Sequence, residues 1–168
     1  MKSETSKQHQ SESSKDITCG IITLSDSRKS KKADLSGQYI AEEIESRYTL
    51  KSRIIIPDEK EDLINAIETM ISEDIDVILT TGGTGLASRD ITVETVESLF
   101  EKQLNGFGEL FRSKSYEEIG AAALLSRATA GIYKKSTIFS MPGSPNAVKT
   151  ALGIIIDELP HIVHHVKK

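Results

Sequence analysis

Asp76-Val-Ile-Leu-Thr-Thr-Gly-Gly-Thr-Gly-Leu-Ala-Ser-Arg-Asp90 carries the reading of the fold. Asp76–Thr80 is a short apolar run without polar alternation, as expected of a strand covered on both faces. Thr81–Gly85 is a glycine-rich turn. Working outward, the same alternation recurs. Upstream, Ile17–Leu24 reads as a first strand, and Leu35, Tyr39, Ile40 and Ile44 recur at helical spacing. Ile54–Ile56 reads as a second strand halted by Pro57, and Leu63, Ile64, Ile67 and Ile71 mark an amphipathic helix. Downstream, Thr92–Phe100 reads as a short helix. Strands alternating with helices in this way predict an α/β fold with a parallel sheet covered on both sides.

Ala128–Tyr133 and Thr137–Met141 break the pattern, because Lys134–Ser136 between them is too short for a crossover helix. They are expected to pair as an antiparallel hairpin, so the sheet is mixed. A last helix starts at Ser144, a suitable cap, with Pro145 at its first position. Ala147, Val148, Ala151, Leu152 and Ile154–Ile156 leave it little polar face before Pro160, so it is expected in the core or in a subunit contact.

Composition narrows the class. The 168 residues hold 21 Lys plus Arg, 25 Asp plus Glu and one Cys, for a formal net charge of −4. One domain of this length buries about 70% of its unfolded surface and needs no covalent staples. A single cysteine forms no internal disulfide, and no Cys/His spacing suits zinc; Cys19 reads as a small buried residue. The acidic balance argues against a nucleic-acid surface. No apolar run approaches the roughly 20 residues that span a bilayer, and no secretory h-region is present, so a soluble cytoplasmic protein is expected. Residues 1–15 have no apolar side chain after Met1 and read as a disordered tail, leaving residues 16–168 as the working domain.

Ligands of open α/β sheets bind beyond the carboxyl ends of the strands. Leu24–Ser27, Pro57–Glu59, Thr80–Asp90 and Ser140–Asn146 fall there, and all are rich in small polar residues. Gly82, Gly83 and Gly85 let backbone N–H groups approach an anion, and Arg89 supplies a planar cation for phosphate; the alternative is a tight strand-to-helix turn. The loop is neither a Walker loop, which needs Gly-Lys-Ser/Thr, nor a dinucleotide fingerprint, whose third glycine position is Ser88. Asp58 and Asp90 are carboxylates of the kind that hold Mg²⁺ beside substrate phosphates. Asp58 also precedes a helix with Glu61 three residues on, as in a capping box. Asp26 is either a ligand contact or the turn after the first strand. Pro142, Gly143 and Ser144 join a glycine turn to a helix N-terminus, which suits phosphate but also ordinary helix initiation. His161, His164 and His165 read as solvated, and no hydrolase elbow is present. From the residues alone, the ligand bears phosphate and the reaction stays unnamed.

Together these motifs resemble the MoaB/MogA molybdopterin-binding family, which includes the gephyrin G domain. The matching stretches are Thr23-Leu-Ser-Asp-Ser27, Asp34-Leu-Ser-Gly37, Pro57-Asp-Glu59, Thr80–Thr92, Leu125-Ser-Arg127 and Met141-Pro-Gly-Ser-Pro-Asn-Ala147. Six in order are specific where each alone is weak, and the last stretch looks most like the MoaB branch. The resemblance implies a three-layer α/β/α sandwich, a trimer or hexamer, and a role in molybdenum cofactor biosynthesis. It further implies adenylylation: AMP passes from Mg-ATP to the terminal phosphate of molybdopterin, and pyrophosphate leaves. The family's acidic positions fall on Asp58 and Asp90, with Asp90 toward Mg²⁺. Gly82, Gly83, Thr84 and Gly85 match its ligand-binding loop and Ser126 a further site position, while Ser25, Asp26, Arg89, Pro142, Gly143 and Ser144 join them as candidate substrate or phosphate contacts on the same rim. Two departures stand out: Val93 replaces a usual proline, and Arg28–Lys32 is basic where the family is acidic. A non-catalytic molybdopterin-binding protein and an interaction scaffold are the competing classes, and pyrophosphate release separates turnover from binding.

Overall fold

The computed structural model describes residues 17–27, 30 and 33–168, so the expected tail and most of the basic stretch 28–32 lie outside the described residues. In chain order the elements are β1 (Thr18–Leu24), α1 (Leu35–Glu45), β2 (Thr49–Ile56), α2 (Lys60–Ser72), β3 (Val77–Thr81) and α3 (Thr92–Leu99). There follow β4 (Lys102–Gln103), α4 (Asn105–Ile119), a 3₁₀ segment (Gly120–Leu125), β5 (Thr129–Tyr133), β6 (Ser136–Met141), α5 (Pro145–Ile155) and α6 (Leu159–Val166). The sheet order is β2-β1-β3-β6-β5-β4. β2, β1, β3 and β6 are parallel, β5 pairs antiparallel with β6, and β4 pairs antiparallel with β5. The fold is a mixed α/β/α sandwich.

Strand periodicity assigns the two faces. Cys19, Ile21, Val77, Leu79, Phe139 and Met141 enter a core with α1, α4, α5 and α6. Their neighbours Ile22, Leu24, Ile78 and Ile138 face Leu63, Ile67 and Met70 of α2 and Val96 of α3. Cys19 is fully buried, and its thiol is pushed up to about 12, chiefly by that burial and then by Asp76. Such a thiol stays protonated and packs as a small apolar group. Among the described residues, no helix is long and apolar enough to cross a membrane.

Several boundaries differ from the sequence expectation for identifiable reasons. Strand β2 begins at Thr49, five residues before Ile54, because its first half lies partly in solvent and carries the polar run Thr49-Leu-Lys-Ser-Arg53. Leu35 is exposed, since the inward positions of that turn are Ser36 and Gly37. Pro160 starts α6 instead of ending one long helix. Helix α4 had no reading at all: its buried positions Phe107, Gly108, Phe111 and Ser115 mix apolar and polar types. The apolar last helices are absorbed by the core, whereas the exposed large apolar residues Leu110, Tyr116, Ile119, Leu124 and Leu125 lie on α4 and the 3₁₀ segment. His161 and His164 are half-buried and only His165 is exposed, so the histidines are less solvated than expected.

One polar contact within the sandwich shapes the rim above it. Asp34 caps α1 by accepting the Gly37 N–H at 2.9 Å. Its other oxygen accepts from Thr23 Oγ1 at 2.7 Å and pairs with Arg53 at 3.3 Å. The Asp34 side chain is fully buried and that of Arg53 is 9% exposed. Removing one partner of such a pair leaves the other charge buried and uncompensated. Asp34→Ala is expected to lower stability by about 3–5 kcal/mol in urea unfolding. Adding Arg53→Met should recover most of that loss.

Candidate active site

The site is built by the ends of four parallel strands. Ile55, Thr23, Thr81 and Met141 stand in one row across β2, β1, β3 and β6. The loops that follow this row are the four segments singled out from composition, so the expected rim is assembled. Its parts are tied together by hydrogen bonds. The Gly82 N–H donates to Met141 O at 3.2 Å, and Thr81 Oγ1 donates to Pro142 O at 3.1 Å. Ser36 Oγ donates to Gly143 O at 2.8 Å, linking the start of α1 to the same turn. Ser144 caps α5 by accepting the Ala147 N–H at 3.2 Å.

Gly82 and Gly83 have φ of +96° and +62°, in the left-handed region that glycine enters without strain. Space demands glycine as well. A Cβ on Gly83 would stand 2.4 Å from Thr92 Oγ1 and 2.8 Å from Asp58 Oδ1; one on Gly85 would stand 2.5 Å from Asp90 Oδ2. The two candidate carboxylates therefore lie against two glycines of one loop. Asp90 Oδ2 also accepts the Ala87 N–H at 2.9 Å, which holds the turn leading into α3.

Asp26 and Asp58 brace each other: each backbone N–H donates to the other's carboxylate at 3.1 Å. Asp58 is not a helix cap. Glu59 occupies that position and makes no side-chain cap bond, so the capping-box alternative does not describe this turn. Asp58 Oδ1 is instead buried without a hydrogen-bond partner among the described residues. Burial, then the charges of Asp26 and Asp90, raise the Asp58 carboxyl above its ordinary value. Asp26 is held below its ordinary value, first by the Asp58 N–H and then by Arg89. Arg89 reaches both Asp26 oxygens at 2.9 and 3.0 Å and Glu59 at 2.6 Å, so its guanidinium is engaged by carboxylates and a phosphate would have to share it.

Ser25 continues the sheet, its N–H donating to Ile56 O at 2.9 Å, and Thr84 is buried within the loop. Ser126 arrives by topology. Because β5 is antiparallel to β6, with Thr129 opposite Ser140, residues 126–128 come in at the same rim. The sequence reading includes the neighbour, Arg127, in the stretch Leu125-Ser-Arg127 but gives it no role. Its Nε donates to Thr84 O at 3.0 Å and its Nη2 to Gly85 O at 2.7 Å, while Nη1 pairs with Glu94. No local pattern could have found these contacts, which join residues more than 30 positions apart. Val93, in the first turn of α3, is nearly buried, so an apolar side chain fits where proline was expected.

This rim places anion-ready backbone beside carboxylates. Residues 20–161 match the family described as "Probable molybdopterin binding domain". The chain belongs to this family. A molybdopterin adenylyltransferase of Pyrococcus furiosus is 44% identical over 167 residues, covering 96% of this chain and 98% of that one. Molybdenum cofactor biosynthesis protein B of Bacillus subtilis is 41% identical over 166 residues, covering 96% and 97%. The crystal structure of the tungsten cofactor synthesizing protein MoaB from Pyrococcus furiosus aligns with a TM-score of 0.85 at 45% identity, over 91% of this chain and 98% of that one. A crystal structure of molybdenum cofactor biosynthesis protein B gives a TM-score of 0.86 at 43% identity, over 90% and 96%. The family's fold is thus the mixed α/β/α sandwich found here.

The raised Asp58 carboxyl has a consequence for stability. The folded protein holds a proton there more readily than the unfolded chain does. Its contribution therefore favours the fold in acid and is withdrawn as pH rises through the folded titration. Asp58→Asn is expected to raise the melting temperature at neutral pH. In thermal unfolding that gap should close as pH falls below the ordinary aspartate value of 3.8.

Proposed function

We propose that this chain is a molybdopterin adenylyltransferase, transferring AMP from Mg-ATP to the terminal phosphate of molybdopterin and releasing pyrophosphate. The observation that carries the reading is the placement of Asp58 and Asp90 against Gly83 and Gly85 of one anion-receiving loop. The name and identity of the Pyrococcus furiosus relative give the reaction its chemical form. A molybdopterin phosphate oxygen forms the new bond to the α-phosphorus as the bond from that phosphorus to the β-phosphate oxygen breaks. The attacking oxygen is already anionic, so no general base is required. Catalysis then rests on alignment and on neutralising negative charge.

The chain's residues divide that work. The N–H groups of the loop at Gly82–Gly85 and the turn Pro142–Ser144 receive phosphate oxygens. Ser25, Asp26 and Ser126 line the same rim, with Arg89 orienting Asp26. The charge balance of the rim also suits a bound cation: Asp26, Asp58, Glu59, Asp90 and Glu94 face two arginines. Among the described residues, no group of three or more His, Cys, Asp or Glu side chains could hold a metal ion by itself. Mg²⁺ is commonly held by one or two carboxylates and completed by substrate phosphates. Asp90 and Asp58, with hard oxygen donors and one unpartnered buried oxygen, are the residues that would hold it. When bound, Mg²⁺ screens the phosphate charge.

The same proposal places the protein in the cytoplasm as a trimer or hexamer. The exposed apolar residues Leu110, Tyr116, Ile119, Leu124 and Leu125 are the surface to bury between copies. Light scattering on the purified chain is expected to give three or six copies.

Purified protein supplied with molybdopterin, ATP and Mg²⁺ is expected to release pyrophosphate and to form adenylylated molybdopterin. Chelating Mg²⁺ should stop release, and Asp90→Asn should slow it by about 10²-fold. Full activity in Asp90→Asn would remove Asp90 from the metal role. Tight molybdopterin binding without pyrophosphate release would instead make the chain a binding protein.

A further inference from the structure

The peptide groups of the glycine loop are polarised in one direction. Four consecutive carbonyls are occupied from the side of α3 and residue 127. Gly82 O accepts from Thr92 Oγ1 at 2.8 Å, and Gly83 O accepts from the Thr92 N–H at 2.9 Å. Thr84 O and Gly85 O accept from Arg127 at 3.0 and 2.7 Å. By contrast, among the described residues no acceptor meets the N–H groups of Gly83, Thr84 or Gly85. A peptide plane points its N–H opposite to its C=O, so a donor that fixes the carbonyl also fixes where the N–H aims.

We infer that Arg127 is a positioning residue for phosphate binding, clamping the carbonyls of Thr84 and Gly85 so that the loop's N–H groups stay presented to the anion. The fork geometry explains why arginine serves here. Nε and Nη2 are rigidly spaced donors that meet two successive carbonyls, and the remaining edge of the guanidinium pairs with Glu94 of α3. Glu94 is in the first turn of the helix that begins with Thr92. All four carbonyls are thereby referred to one rigid element. The Arg127 side chain is 26% exposed, against 61% for Glu94, so the clamp sits under the loop while its anchor faces solvent. Without the fork, the two carbonyls would be free to rotate toward the site and oppose an incoming phosphate. Arg127 touches no reacting atom in this arrangement. Its effect passes through the backbone of residues 84 and 85.

This inference rests on the adenylylation reading for its substrate, so the test reads the loop with and without substrate. Arg127→Lys keeps the charge and loses the fork; Glu94→Gln keeps the fork and loosens its anchor. Amide hydrogen exchange on the ligand-free proteins is expected to show the loop's hydrogen-bonded amides, those of Gly82, Ala87 and Thr92, exchanging about tenfold faster in Arg127→Lys, with β1, β3 and β6 unchanged. Glu94→Gln should give a smaller change of the same kind. In turnover, Arg127→Lys is expected to raise KM for Mg-ATP by about tenfold while kcat moves less than threefold. A residue serving only the fold would reduce the active fraction, lowering kcat at constant KM. Unchanged loop exchange in Arg127→Lys overturns the inference, as does a kcat loss at unchanged KM. If the parent protein releases no pyrophosphate, the adenylylation reading fails, and loop exchange with titration by inorganic pyrophosphate still decides the role of Arg127. Should Arg127→Lys fold poorly, the same two readouts on Glu94→Gln decide it.

Discussion

The row Ile55–Thr23–Thr81–Met141 is the constraint on which the site depends. Parallel strands in register end level with one another, so every loop that leaves them emerges on the same rim. Four stretches spread along the chain from Leu24 to Asn146 meet there without needing any affinity of their own. The register is in turn fixed by burial. Successive residues of β1, β3 and β6 face two different cores, and a slip by one residue would exchange them. The positions of Asp58, Asp90 and the glycine loop are thus inherited from apolar packing several ångströms below.

On that rim the charge and the backbone polarity oppose each other. Asp26, Asp58 and Asp90 make it acidic, while the loop offers N–H groups that suit an anion. An acidic rim alone would repel phosphates, and an amide cradle alone would bind them without discrimination. Their combination suits phosphate that arrives with a divalent cation, since one partner answers the carboxylates and the other answers the amides. The unpartnered oxygen of Asp58 is the local sign of this arrangement. It is a group held in an unfavourable environment by the surrounding packing, as is common where a ligand is to be received.

The fold was legible where burial is symmetric or where stereochemistry is strict. Strands covered on both faces announced themselves at Ile17–Leu24 and Asp76–Thr80, and the hairpin followed from the length of Lys134–Ser136. Elements that are buried on one side only were harder. The edge strand β2 lost its polar half, and α4 went unread because Gly108 and Ser115 share its buried stripe with Phe107 and Phe111. At the site, glycine spacing pointed to the loop, and the positive φ of Gly82 and Gly83 is the reason that spacing exists. Arg127 stood in the stretch Leu125-Ser-Arg127 without a role, because two of its partners are carbonyls, which carry no residue identity, and the third, Glu94, is remote in the chain.

By itself, the sequence determined the alternation of layers, the mixed sheet and the four segments rich in small polar residues at the strand ends. Burial patterns and glycine stereochemistry act over a few residues, so a linear reading reaches them. Only the tertiary structure decided how those residues are used. It turned Asp58 from a possible helix cap into a carboxylate braced on Asp26 with one buried, unpartnered oxygen, occupied Arg89 with Asp26 and Glu59, and brought Arg127 beneath the glycine loop. Each of these depends on distances between segments remote in the chain, and such distances exist only once the register of the sheet is set.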